Sequence, residues 1–213
     1  MLIKTLPVGM LETNCYIVTD EGTRKCAIID PGAESNTILD YVESNRLAPM
    51  AIFLTHGHFD HCMALETVAE STGAPAYIHE RDAEDIGFRR HCSLGAEGKL
   101  HSYAEGDSFQ IGGIEITVLE TPGHSPGSVT LLCESALFTG DTLFRDSCGR
   151  TDLEGGDTAQ LMASLRRLSD IDGDYEVYPG HADTTTLNRE RSFNYYMKQA
   201  CSGATILEDD VDI

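Results

Sequence analysis

Short apolar and β-branched runs open the chain at Leu2–Val8, Cys15–Thr19 and Cys26–Asp30, separated by turn formers. That is the pattern of strands in a mixed or antiparallel meander. Pro31-Gly32 closes the third run. Ile38, Leu39 and Val42 then recur at helical spacing, which predicts a helix over Ser35–Ser44. Met50–Thr55 is a continuous apolar run, the signature of a strand buried on both faces, and it runs directly into His56. Leu65, Val68 and Ala69 mark a second helix that Gly73 and Pro75 close. A short strand at Ala76–His79 and a helical turn at Arg81–Ile86 follow. From Gly87 to His101 the chain is polar, contains glycine and has no clear period, so a surface excursion is expected there.

The second half repeats the strand habit at Ser108–Ile111, Ile114–Leu119, Val129–Cys133 and Ala136–Thr139, with Gly112-Gly113 as a hairpin turn. Asp157 is placed to cap a helix whose Leu161, Met162, Leu165 and Leu168 form one face. Tyr175–Tyr178 reads as a last strand, Asn188–Gln199 as a final helix and the acidic Glu208–Ile213 as a frayed end. Two halves with the same order of strands and helices predict two sheets packed face to face with helices outside, a four-layer αββα sandwich of the α/β class. No linker rich in Pro, Ser or Gly divides the 213 residues, so one domain is expected.

Composition narrows the partners. The formal charge is −20, from 35 acids and 15 bases, and such a surface repels nucleic acid and anionic membrane. An anionic substrate would need local positive help, with metal ions the obvious source. No run approaches the roughly 18 apolar residues of a membrane span. Met1–Leu6 turns polar too quickly for a secretory signal, which points to the cytoplasm. Seven cysteines without a CxxC or an even framework read as small hydrophobes in a reducing compartment, with Cys62 and Cys148 close enough to the motifs below to line a pocket.

Histidine and aspartate carry the chemistry. His56, His58, Asp60 and His61 share one short loop, whereas His124, Asp141 and His181 each follow an apolar run. The loop leaves a buried strand and enters a helix, so its side chains sit at the carboxyl end of a sheet, where catalytic groups collect in open α/β folds. Gly57 lets the backbone turn sharply so that His56 and His58 converge, while Asp60 and His61 can face a second ion. Val118–Gly123, Ala136–Gly140 and Val177–Gly180 all pass through a glycine into a ligand-capable residue. A carboxylate such as that of Asp141, placed between two ions, can bridge them. Imidazole and carboxylate donors without a thiolate pair suit zinc or iron, and two ions side by side imply hydrolysis or metal-dependent oxidation.

The loop His56-x-His58-x-Asp60-His61, with His124, Asp141 and His181 further along, resembles the ligand pattern of the metallo-β-lactamase superfamily over nearly the whole chain. The resemblance implies one metallo-β-lactamase-like domain over residues 1–213. It also implies a first ion on His56, His58 and His124, a second on Asp60, His61 and His181, and Asp141 as the bridge. Met63 and Ala64 stand where small glycines often follow the loop, and remove no ligand. Gly123–Ser128, Thr139–Phe144, Cys148–Asp152 and Gly180–Thr186 followed by Glu190 resemble the glyoxalase II-like (hydroxyacylglutathione hydrolase-like) group, in its short single-domain form. Aspartate at 141 argues against the β-lactamase branch with a zinc-bound thiol.

That group implies hydrolysis of a small-molecule thioester such as S-lactoylglutathione, or another glutathione conjugate, by a metal-activated hydroxide. Asp60 and Asp141 would be the catalytic carboxylates, and Phe144, Cys148 and Arg150 would meet the substrate. Two divalent ions are expected, zinc foremost, with iron and manganese the other candidates. Arg150 also has a bland reading, as a buried arginine paired with an acid such as Asp152. Two rival functions stand beside the main one. A persulfide dioxygenase resembles the same fold and the Cys148–Asp152 string, with a single iron on His56, His124 and Asp141. A metal-binding scaffold whose chemistry has lapsed is the other, although lapse normally shows as missing ligands.

Overall fold

In the computed structural model, which describes residues 1–92, 94 and 99–202, alternation along the strands sorts the interior into three apolar layers. The strands are β1 (Leu2–Val8), β2 (Thr13–Thr19), β3 (Lys25–Ile29), β4 (Ala48–Phe53), β5 (Ala76–His79), β6 (Leu100–Tyr103), β7 (Ser108–Ile111), β8 (Ile114–Glu120), β9 (Val129–Cys133), β10 (Ala136–Gly140), β11 (Leu143–Phe144), β12 (Ser147–Cys148), β13 (Glu176–Pro179) and β14 (Thr185–Thr186). One sheet runs β1-β2-β3-β4-β5-β6 and the other β14-β13-β10-β9-β8-β7, while β11 and β12 form a small ribbon. The helices are α1 (Ser35–Ser44), α2 (Phe59–Cys62), α3 (Leu65–Thr72), α4 (Glu80–Ala83), α5 (Ile86–His91), α6 (Thr158–Ser169), α7 (Leu187–Phe193) and α8 (Tyr195–Ser202).

Successive side chains of a strand point to opposite faces. On β2, β3 and β4, Ile17, Ile28 and Ile52 therefore pack outward with Ile38 and Val42 of α1 and Leu65 and Val68 of α3. Their neighbours Tyr16, Val18, Ile29 and Phe53 point inward, against Ile116, Val118, Leu131 and Phe138 of the second sheet. Beyond that sheet, Leu137 and Val177 pack on Leu161, Leu165 and Leu168 of α6 and Met197 of α8. These layers are the expected four-layer αββα sandwich. Among the described residues no helix is long and apolar enough to cross a membrane.

The elements differ from expectation where side chains compete for the backbone. The central strand spans Ala48–Phe53 rather than Met50–Thr55, because the Thr55 amide leaves the ladder and donates to Asp30 Oδ1 at 2.7 Å. The expected excursion after Gly87 contains most of α5, capped by Asp85 accepting from the Phe88 amide at 3.0 Å, and edge strand β6. Residues 93 and 95–98 of that stretch, and the acidic end Glu208–Ile213, lie outside the described residues. The final helix is two helices. Asn194 breaks it with an extended backbone, and its side-chain amide donates to the carbonyls of Phe144 and Ser147, at 3.2 and 2.9 Å.

Phe53 is fully buried between the sheets, with the rings of Tyr77 and Phe109 centred 5.5 and 5.0 Å away. Phe53→Ala is expected to lower the unfolding free energy by about 3–5 kcal/mol, through lost burial and the cavity left behind. A denaturant melt in the presence of chelator measures this, and a loss below about 1 kcal/mol would contradict the packing described.

Candidate metal centre

Strands β8, β10 and β13 run in one direction within the second sheet, so their carboxyl ends share an edge. The loop after β4 joins them there, with the Val129 amide donating to the Thr55 carbonyl at 2.9 Å. The four loops that leave these strands carry all seven expected ligands to one place. Three groups have ligand atoms within 4.8 Å of one another: His56, His58 and His124; Asp60, His61 and His181; and His56, His61 and Asp141. His58 Nδ1 lies 2.8 Å from His124 Nε2, and His61 Nε2 lies 3.4 Å from His181 Nε2. Asp141 sits between the two clusters, Oδ1 at 3.4 Å from His61 Nε2 and Oδ2 at 3.5 and 3.6 Å from His124 and His181 Nε2.

The far nitrogens of four of the five rings are tied to the protein, which fixes the orientation of those rings. His56 Nδ1 meets Thr55 Oγ1 at 3.1 Å and His61 Nδ1 meets Asp30 Oδ2 at 3.0 Å. His124 Nδ1 meets the Arg150 carbonyl at 2.8 Å and His181 Nδ1 the Leu11 carbonyl at 3.1 Å. His58 alone of the five turns its Nδ1 inward, toward His124. Gly149 permits the Arg150 contact, since a Cβ there would lie 1.8 Å from the Asp141 carbonyl oxygen and 3.2 Å from His124 Nδ1. Gly180 gives the same close approach, as its Cβ would fall 2.2 Å from Asp141 Oδ1.

Among the described residues, His56 Nε2 and Asp141 Oδ1 are the buried side-chain polar atoms without a hydrogen-bond partner. Leaving such atoms unpaired costs free energy, and both belong to the centre of the cluster, where a cation satisfies them. The donor set therefore fits the metals it implies: a two-ion site of imidazole and carboxylate ligands. Its electrostatics divide in the metal-free state. Burial, reinforced by neighbouring histidines, pushes His56 well below the ordinary histidine range and lowers His58, so both are neutral donors. On the other side burial works against charge but is outweighed. Asp141 and Asp30 raise His61 to about 9, and the hydrogen bond to Asp60 with the charge of Asp141 raises His181. Asp60 stays ionised, because His181 and His61 overcome its own burial and hold the carboxyl below the usual range.

The centre lies in a cleft of about 1040 Å³. Phe144, Cys148 and Arg150 all line it, as does Leu153. Cys62 packs instead into the apolar layer outside the first sheet. Arg150 does pair with Asp152, through two bonds of 2.6 Å, but at the surface rather than in the interior, with its side chain 48 % exposed. Arg81 and Arg90 also border the cleft, together with the acids Glu84, Asp85 and Glu154. All seven cysteines are free thiols, six of them buried.

Two buried carboxylates escaped the sequence reading. Asp30 takes a left-handed backbone (φ 50°) and accepts from the Thr55 amide, the Thr55 hydroxyl and His61. Asp82 on α4 accepts from the amides of Gly57 and Gly127 and from Ser125 Oγ. An aspartate ending an apolar strand before Pro-Gly was the available sign for Asp30. Asp82 has no local sign, because its partners are 25 to 45 residues away.

The sequence profile of the Metallo-beta-lactamase superfamily matches residues 8–181. The probable metallo-hydrolase YqgX of Bacillus subtilis is 34% identical, over 91% of this chain and 96% of its own length. The hydroxyacylglutathione hydrolase GloC of Haemophilus influenzae is 29% identical, over 92% and 98%. Among solved structures, the BLEG-1 B3 metallo-beta-lactamase is 34% identical with a TM-score of 0.81, over 92% of this chain and 99% of its own. TTHA1623 in a di-iron-bound form is 35% identical with a TM-score of 0.78, over 91% and 99%. ETHE1 from Myxococcus xanthus is 28% identical with a TM-score of 0.79, over 98% and 94%.

A metal must displace the proton that His61 keeps up to about pH 9. Zinc affinity of the stripped protein is expected to rise with pH through neutrality and to level off above about 9. Competitive chelator titrations across that range measure it, and a flat profile would contradict the protonated state assigned to His61.

Proposed function

The chain belongs to the metallo-β-lactamase superfamily, and within it we propose a two-metal hydrolase that acts on a thioester such as S-lactoylglutathione. The observation that carries this reading is a pair of three-ligand clusters with a carboxylate between them. In it, His56, His58 and His124 would hold one ion, Asp60, His61 and His181 the other, and Asp141 would serve both. When bound, the ions supply an activated water and a Lewis acid for the thioester carbonyl. Zinc is the first candidate from the donor set, and the di-iron form of TTHA1623 makes iron the second.

The chain's own residues orient and bind. Asp60 Oδ2 accepts from Thr13 Oγ1 at 3.1 Å, so Asp60 would be a fixed, ionised ligand that also orients the attacking water rather than a free general base. Phe144, whose ring stands edge-on to His181 at 6.1 Å, closes the apolar side of the cleft. Cys148 adds a neutral wall beside it. Arg81 and Arg90 offer cations to the carboxylates of a glutathione-type thiol, and Arg150 would do so on leaving Asp152.

A second reading has specific support. A single iron on His56, His124 and Asp141, acting in persulfide oxidation, uses the two residues whose buried atoms lack protein partners. The likeness to ETHE1 over 98% of this chain and the iron in TTHA1623 weigh toward this iron-dependent alternative. They weigh more than the relation to GloC at 29% identity weighs toward thioester hydrolysis. A lapsed scaffold finds no support in the ligand set, which has no gap.

Metal content and S-lactoylglutathione hydrolysis, measured on one preparation purified without added metal, separate the readings. About two ions per chain and chelator-sensitive turnover are expected. About one iron, no hydrolysis and oxygen uptake with glutathione persulfide would transfer the assignment to oxidation. Asp141→Ala is expected to lose most metal at both positions and nearly all turnover. A variant that keeps two ions and an unchanged kcat would remove Asp141 from the bridge.

A further inference from the structure

We propose that Asp82 is a positioning residue for one half of the metal centre, the cluster of His56, His58 and His124, and leaves the other half untouched; the division into halves rests on the two-ion reading. Asp82 is 2 % exposed and touches no candidate ligand side chain through a hydrogen bond. Its Oδ2 accepts from the Gly57 amide at 2.8 Å, which fixes the peptide that joins His56 to Gly57, one residue before His58. The same oxygen accepts from Ser125 Oγ, and Oδ1 from the Gly127 amide, both at 2.6 Å, which fixes the loop just after His124. One carboxylate on α4 thus spans the two loops whose rings approach to 2.8 Å, between His58 Nδ1 and His124 Nε2.

Glycine at both contact points follows from this clamp. A Cβ at Gly57 would stand 3.2 Å from the Asp82 Cβ, and one at Gly127 would stand 2.6 Å from Oδ1. The other half has its own supports: Asp30 behind His61, Thr13 behind Asp60 and the Leu11 carbonyl behind His181. None of these touches Asp82. Three donors on two oxygens require an acceptor-only group, so an asparagine of the same shape would face at least one N–H or O–H donor with its own NH2.

The selectivity is tested in two backgrounds with zinc as the probe, by competition against a fluorescent chelator. His181→Ala cripples the second cluster, and His58→Ala cripples the first. Added to His181→Ala, Asp82→Asn is expected to weaken the remaining ion roughly 10–100-fold, the usual cost of losing support behind a ligand. Added to His58→Ala, it is expected to leave the remaining ion's affinity unchanged. Ser125→Ala, which removes one of the three contacts, should act in the same direction and by less. Equal losses in both backgrounds, as from general unfolding, would overturn the proposal, as would no loss in the His181→Ala protein. Failure of the two-ion reading looks different. His181→Ala alone would then leave zinc stoichiometry at the wild-type single ion, and Asp82→Asn would still weaken that ion if the clamp is correct.

Discussion

Five imidazoles and two carboxylates can share one pocket only if most of the rings are told which nitrogen to turn inward, and this constraint organises the molecule. A free imidazole presents either nitrogen. Here Thr55, Asp30, the Arg150 carbonyl and the Leu11 carbonyl occupy the outer nitrogens of His56, His61, His124 and His181. Those supports come from loops of the first sheet and from the β11–β12 region, whereas His124, Asp141 and His181 leave the second sheet, so no single element could hold the centre alone. The atoms left without partners, on His56 and Asp141, lie at the middle. The polypeptide meets the cost of desolvating the cluster everywhere except where a cation does it better.

The two sheets bring these supports together at one edge because the strands that end there are parallel within the second sheet, while the first sheet contributes its central parallel strand. Contacts between the sheets lock the meeting place. Asn14 on β2 donates to the carbonyls of Pro179 and Ala182, and the Tyr16 hydroxyl donates to Pro179 at 2.6 Å, so the first sheet grips the His181 loop directly. Fold and site are therefore one mechanical object. The inward aromatic layer that joins the sheets also sets the distance between the loops they carry.

The sandwich was legible in the order of its elements, since two halves with the same succession of strands and helices imply two facing sheets with helices outside. The ligands were legible because they are chemically unusual and locally marked: a dense His-Asp loop, then three residues introduced by glycine. What sequence could not supply was longer-range. Asp82 and Asp30 act on partners about 25 residues or more away. Asn194 ends a helix to serve a ribbon 47 to 50 residues earlier, so helical spacing carried straight through it. Edge strand β6 draws its pairing from β5 rather than from an apolar pattern of its own, two of its four residues being exposed. Arg150 was read from its neighbour Asp152, which gave the partner but not the depth.

Cys148 closes the cleft wall with no solvent exposure, and burial pushes its thiol up to about 12. The thiol is therefore kept protonated at neutral pH, and it is the thiolate that is the nucleophile in exchange chemistry. A cysteine beside a reactive sulfur compound would ordinarily invite capture of an acyl group or a mixed disulfide with a released thiol. Here the same sulfur is chemically silent. The protein can keep a polarisable, well-packing wall next to the reacting centre without becoming a substrate of its own reaction.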